Sequence, residues 1–305
     1  MTKDKPLVGI LLMLGFCILA PLGDAVAKLL GPSIPVGQLL LVRFATQALI
    51  LMPLVWLTGR TWRMTARLLW LTCLRTVLHI LGIGAMYSAL QYLPLADAIA
   101  IAFVMPFLTL LLGKFILHEE VGSRRLLACT VGFIGTLMVV QPSFEQVGWP
   151  ALLPLVVAVT FAFFMLVTRH IAKETDPIGL QAVSGVVAVC LMGPILWVTQ
   201  SGEIASLTLI APTAPEWSML ITVGVLGSCA HLLMTWSLRY APSTTLAPMQ
   251  YLEIPIATII GLIIFGDLPN GLAAAGICIT IAAGVYIALR ERSIARLAAR
   301  VSAPE

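Results

Sequence analysis

The chain of 305 residues is 60% hydrophobic and only 10% charged, with a mean hydropathy of +1.02. A soluble core has no use for so much apolar side chain, so these figures exclude a cytosolic enzyme or scaffold and define an integral membrane protein. The net charge of +4 is spread over loop ends, where it sets topology, and nucleic acid is not an expected partner.

A bilayer core of ~30 Å takes roughly 20 apolar residues per helix. On that measure the sequence divides into ten spans, at residues 7–30, 36–58, 68–91, 94–117, 125–141, 151–172, 177–200, 217–240, 242–266 and 270–290. The expected fold is therefore all-α, with ten transmembrane helices.

Span one follows Lys3 and Lys5 and contains Ala25-Val26-Ala27, which resembles a signal-peptide cleavage site. An uncleaved first helix is expected, because cleavage would remove one member of the repeat described below. Near its end Asp24 and Lys28 stand four residues apart on one face, the spacing of a local ion pair or a gate. Span two places Arg43 and Gln47 on one face, and span three does the same with Arg75, His79 and Met86. Span four carries Asp97, Phe103 and Pro106.

Span five has small residues at four-residue spacing, Ala128, Gly132 and Thr136, and span ten repeats the pattern with Gly276, Thr280 and Gly284. Such faces allow close helix approach, either within the molecule, which is the favoured reading, or in a homodimer. Span eight aligns Ser228, His231 and Thr235 on one face, where hydroxyl and imidazole groups suit hydrogen bonding to a solute. In span nine, "APMQYLEIPIATIIG" sets Glu253 between Pro248 and Pro255, with Gln250 three residues before it. The prolines remove backbone donors and loosen the helix, and freed carbonyls are tolerated only inside protein or beside a cavity.

The second half echoes the first. Leu90, Tyr92, Pro94 and Gly113 correspond to Leu238, Tyr240, Pro242 and Gly261; Glu119 corresponds to Asp267, Pro53 to Pro194 and Trp56 to Trp197. This predicts two units, 1–141 and 142–305, of five spans each. Five is odd, so equivalent helices cross in opposite directions, the inverted-topology repeat of many secondary transporters. Lys3, Lys5, Arg60, Arg63, Arg67, Lys114, Arg124, Arg125, Arg169, Lys173, Arg239 and the tail arginines Arg290, Arg292, Arg296 and Arg300 all fall on one side. The other side has at most Lys28, and its loops hold Glu145, Glu203, Glu216 and Asp267. The Lys/Arg excess marks the cytoplasm, which puts both termini there, with the basic tail near anionic membrane lipid.

Ionisable groups inside a span cost ~2.5 to 3.5 kcal/mol each unless paired or hydrated. The candidates for substrate binding or coupling are Glu253, Gln250, Tyr251, Arg43, Arg75, His79, His231 and Asp97, with Asp24 and Lys28 as a gate or ion pair. Glu253 is expected to bind a cationic group or exchange a proton, the plainer alternative being a permanent bridge to Arg43 or Arg75. Trp236, Tyr87, Phe103 and Tyr251 could stack on a planar solute.

Through "DAVAKLLG", "VRF", "LRTVLH", "ALQYLPLADA", "PFLTLLLGKFILHEEVGSRR" and "APMQYLEIPIATIIGLIIFGDLPN", the chain resembles the EamA family of the drug/metabolite transporter superfamily over nearly its whole length. The resemblance implies a ten-helix carrier in a bacterial inner membrane, with a central cavity and alternating access. The "YLE" after "APMQ" is similar to the branch with S-adenosylmethionine uptake carriers; other relatives import riboflavin or export amino acids.

The function expected is secondary transport of a small polar organic metabolite, with proton coupling through Glu253 as a further expectation. A passive facilitator or an exporter of the same fold is the alternative, and an intramembrane enzyme or lipid-binding protein the distant one. His79, His118, His170 and His231 lack HExxH-like spacing, and there is no GxSxG elbow and no Walker A loop, Gly113-Lys114 lacking the flanking residues. No cofactor or metal is expected. Six cysteines, one per span and none in a CxxC pair, are read as small packing residues.

Overall fold

The computed structural model describes residues 5–118, 122–199, 204–267 and 271–301. Lys3, Glu119 and Glu203 lie outside the described residues, as do the side chains of Arg125, Glu145, Pro248, Arg292, Arg296 and Arg300. Twelve α-helices follow one another: α1 (Pro6–Leu30), α2 (Val36–Leu57), α3 (Ala66–Ala89), α4 (Leu95–Ala102), α5 (Met105–Ile116), α6 (Ser123–Val147), α7 (Leu153–Ile171), α8 (Pro177–Val198), α9 (Ala214–Tyr240), α10 (Ser243–Gln250), α11 (Glu253–Phe265) and α12 (Gly271–Val301). No strand occurs among the described residues.

Large apolar side chains point outward around the bundle, Leu49, Leu57 and Ile263 being 75%, 86% and 76% exposed. A molecule of this surface belongs in lipid, where only helices satisfy their own backbone polar groups. Trp56 and Trp197, equivalent by the repeat, are exposed near the ends of α2 and α8, as interfacial tryptophans are. Seven helical segments are long and apolar enough to cross a membrane; Leu126–Met138, Glu253–Phe265 and Ala274–Ala283 are apolar but shorter. The chain is thus a multi-pass membrane protein.

Two predicted spans are broken rather than bent. Span four is α4 and α5, parted at Phe103-Val104, and span nine is α10 and α11, parted at Tyr251-Leu252. Each begins directly after a proline, Pro94 or Pro242. Pro106 and Pro255 then fall in the first turns of α5 and α11, where the missing N–H costs least. At the far end of α11, Gly266 takes the left-handed φ of 71° that closes a helix.

The most extensive helix pairs are α1 with α9, α3 with α7, α2 with α8 and α6 with α12. Exchanging the two predicted halves of the sequence turns the first pair into the second and leaves the other two unchanged. α6 and α12 approach closely inside the molecule, but through Gly135, where a Cβ would lie 2.7 Å from the Gly276 carbonyl oxygen of α12; Gly132 of the predicted face packs on the Tyr251 ring instead. α6 and α12 run on to Val147 and Val301, past the predicted ends of their spans, so the stretch from Arg290 to Arg300 is helical. Of the cysteines, Cys17 and Cys129 are buried, but Cys190, Cys229 and Cys278 are exposed on the outer surface. The reading of all six as packing residues is corrected accordingly.

Candidate functional site

Between the halves lies a narrow cavity of about 60 Å³, well below the ~300–1,000 Å³ of a formed small-molecule site, so its walls are nearly closed on one another in this conformation. Each broken helix supplies its junction. Met105, first residue of α5, and Glu253, first residue of α11, both line it. The spacing that relates Pro94 to Pro242 and Gly113 to Gly261 also relates Met105 to Glu253. The site therefore has an acid on one side of the repeat axis and a thioether on the other.

Asp24 from α1 and Arg43 from α2 join Glu253 in the wall, with Phe16, Tyr87, Phe103, Phe161 and His231 as the aromatic lining. Arg43 lies within electrostatic reach of Asp24 and beside the Tyr87 hydroxyl, yet its Nη1 has no hydrogen-bond partner. Glu253 faces Asp24 across the space. The guanidinium is seated on Gly227 of α9: a Cβ there would stand 2.7 Å from Nε of Arg43. Neither arginine bridges Glu253. The ion pairs among the described residues are Lys28–Asp267, Arg60–Asp176 and Arg67–Glu174.

Lys28 is the second correction. It turns from Asp24 to Asp267, at 3.4 Å, and to the Leu93 carbonyl, at 2.9 Å, with its ammonium 4.8 Å from the Phe265 ring. Intrahelical spacing allowed the Asp24 pair, but the Leu93 carbonyl before α4 and the Asp267 carboxylate beyond α11 engage the ammonium instead, and Asp24 is left to the cavity. At the opposite end of the bundle Arg169 donates to the Leu238 carbonyl at 2.7 Å.

Beyond His231 the other predicted residues are packed away from the cavity. His79 packs against His231 with ring centroids 4.2 Å apart and planes tilted by 52°, among Phe44, Phe161 and Phe164, and none of the four ring nitrogens has a partner. Arg75, fully buried, donates to the hydroxyls of Thr168 (2.8 Å), Ser184 (2.8 Å) and Thr235 (3.3 Å) and lies over the Phe164 ring. Gln250 closes α10 and donates to the Met165 sulfur, so the helix break separates it from the face of Glu253.

Tyr251 donates to the Cys129 carbonyl and presses on Gly132, which leaves no face for a solute. Trp236 packs with Leu51, Val55, Ile178 and Ala182. Asp97 sits in the first turn of α4, outside the cavity wall, and is engaged by neighbours of its own. Ser228 returns its hydrogen bond to Gly224 of its own helix. Phe16, Phe161 and Gly227 were not singled out by sequence; their residue types are those of ordinary packing, and only the contacts distinguish them.

A multi-pass helical bundle whose broken helices meet at a cavity lined by acids, one arginine and aromatics has the form in which secondary transporters hold a solute. The chain belongs to the EamA-like transporter family, a member of the drug/metabolite transporter superfamily, whose model matches residues 7–141 and again 148–290. It is 27% identical to a riboflavin transporter of Brucella anthropi over 74% of this chain and 78% of that protein. An S-adenosylmethionine uptake transporter of Rickettsia felis is 25% identical over 88% of each chain. A pseudopaline exporter of Pseudomonas aeruginosa is 22% identical over 90% of this chain and 92% of its own. One solved crystal structure shares the fold with a TM-score of 0.69 and 16% identity, covering 95% of this chain and 98% of that one.

Proposed function

We propose that the protein is a secondary carrier that moves a small polar organic metabolite across a bacterial inner membrane by alternating access. The observation that carries this is Glu253, at the break between α10 and α11, facing the cavity beside Asp24 and Arg43 without a direct ion pair to either arginine. Two acids against one arginine with an open Nη1 suit a solute with a cationic centre and a hydrogen-bond acceptor. The aromatic wall suits a planar portion. S-adenosylmethionine has all three features, riboflavin offers the planar ring and acceptors without the cation, and an amino-acid-like compound the ammonium and carboxylate; the names of the relatives support testing those first.

Ten crossings in two inverted halves, 1–141 and 142–305, with both termini cytoplasmic, complete the proposal. Support comes from the exchange symmetry of the helix pairs, the double family match and the gathering of Arg60, Arg67, Arg169 and Arg239 at one end. Glu253 is the proposed proton-coupling group. Export is the second reading, supported by the pseudopaline exporter among the relatives. Passive facilitation is separated from both by coupling alone.

Uptake by proteoliposomes tests the proposal, with labelled S-adenosylmethionine, riboflavin and amino acids offered with and without an imposed pH gradient. A coupled carrier accumulates one of them and loses accumulation when the gradient collapses. A facilitator equilibrates it without accumulation, and no saturable flux of any small metabolite in a wider screen would sink the reading.

A further inference from the structure

Toward the end where α3 begins, five helices bring buried polar side chains together, four of them one turn past a residue of the layer that holds Arg43 and the histidine pair. On α2 the step is from Arg43 to Gln47, on α3 from His79 to Arg75, on α9 from His231 to Thr235 and on α7 from Phe164 to Thr168; α8 adds Gln181 and Ser184. They form one bonded cluster. Arg75 reaches Thr168, Ser184 and Thr235, Gln181 also donates to Thr235 at 3.0 Å, and Gln47 donates to the Gln181 carbonyl at 2.7 Å.

The charge balance here is unlike that of the cavity. Every acceptor of Arg75 is a neutral hydroxyl, and among the described residues no carboxylate pairs with it or lies within its electrostatic reach. A guanidinium removed from water ordinarily has an anion, because hydroxyl dipoles replace only part of its hydration. The hydroxyls are poised to let go. Thr168 and Thr235 already donate their protons to carbonyls of their own helices, at 2.6 and 2.7 Å, so they lose no donor bond if Arg75 turns elsewhere. Between cluster and cavity stands a buried aromatic layer, the tilted pair His79 and His231 with Phe44, Phe161 and Phe164 around it, and the four imidazole nitrogens have no partner.

We propose that the Arg75 cluster, with Thr168, Ser184 and Thr235, is a second solute position that takes an oxyanion of the solute, its carboxylate above all. It is closed in this conformation and opens when α3, α7, α8 and α9 separate on the other side of the histidine pair. The solute passes from a site of two acids and one arginine to a site of one arginine and hydroxyls, its anionic end leading. As a step in transport this rests on the carrier reading; as an anion site it does not.

The test uses full-length protein with its six cysteines replaced by alanine, in sealed vesicles of each orientation. Ser184→Cys, and separately Thr168→Cys, is labelled with methanethiosulfonates carrying either a sulfonate or a trimethylammonium group. The expected result is labelling from the side where α3 begins, about tenfold faster with the sulfonate. Arg75→Gln removes that preference and Arg75→Lys restores it. Equal rates for the two reagents, a preference that survives Arg75→Gln, or no labelling of either cysteine from either side would overturn the proposal. If no solute is transported yet the sulfonate preference holds, the anion site stands and the carrier reading falls.

Discussion

Arg43 and Arg75 look alike in the sequence, each in mid-span with a polar residue one turn away, yet the structure puts them in opposite circumstances. Arg43 borders the cavity, has an unpartnered Nη1 and sits within reach of Asp24. Arg75 is sealed under three hydroxyls with no carboxylate partner. A buried charge in a membrane protein is tolerated for what it meets during the cycle as much as for what it touches at one instant. The contrast separates a region that borders a narrow cavity in this conformation from one that is sealed off from it.

The largest effect is expected where the cavity has least redundancy. Glu253→Gln keeps the size and removes the charge, and transport falls by more than about tenfold, the value of a charge-assisted hydrogen bond. The two arginines then divide the kinetics. Arg43→Gln raises KM by about tenfold with maximal flux little changed, because a contact of the resident site is lost. Arg75→Gln does the reverse, lowering maximal flux by about three- to tenfold while KM holds. Initial-rate uptake over a range of solute concentrations reads both, and the same change in KM for both variants would erase the distinction.

Smaller effects probe the supports. Gly227→Ala puts a methyl group 2.7 Å from Nε of Arg43 and is expected to raise KM a few-fold by displacing the guanidinium. Its effect should vanish in an Arg43→Gln background, and full additivity would show that Gly227 acts by another route. Lys28→Ala breaks a half-exposed pair with Asp267 and a bond to Leu93, contacts worth about 1 kcal/mol or less each to stability. Thermal unfolding in detergent should shift by only a few degrees, and a collapse of the fold would make Lys28 a structural pillar instead.

Much of the architecture was legible because composition and period carry it. Apolar spans, prolines at equivalent places and one-sided Lys/Arg are local signals, and the helices lie close to where those signals put them. The site was legible only in part. Glu253, Arg43 and His231 were found because charge or imidazole in a span is conspicuous, and all three reach the cavity. Asp24 was drawn to Lys28 by an i, i+4 spacing that cannot reveal a better partner 239 residues away. Tyr251 and Gln250 share the stretch of Glu253 but not its direction, since the helix stops and restarts between them. Helix breaks re-aim side chains in ways that residue spacing does not encode.

Counterflow of the identified solute in proteoliposomes, wild type against Glu253→Gln, tests the central claim most directly, because exchange without a net gradient needs only binding and reorientation at the cavity. The account predicts saturable exchange in the wild type and its loss in Glu253→Gln at equal protein incorporation. Exchange at wild-type rate and affinity in Glu253→Gln would contradict it, and the solute would have to be held elsewhere in the bundle.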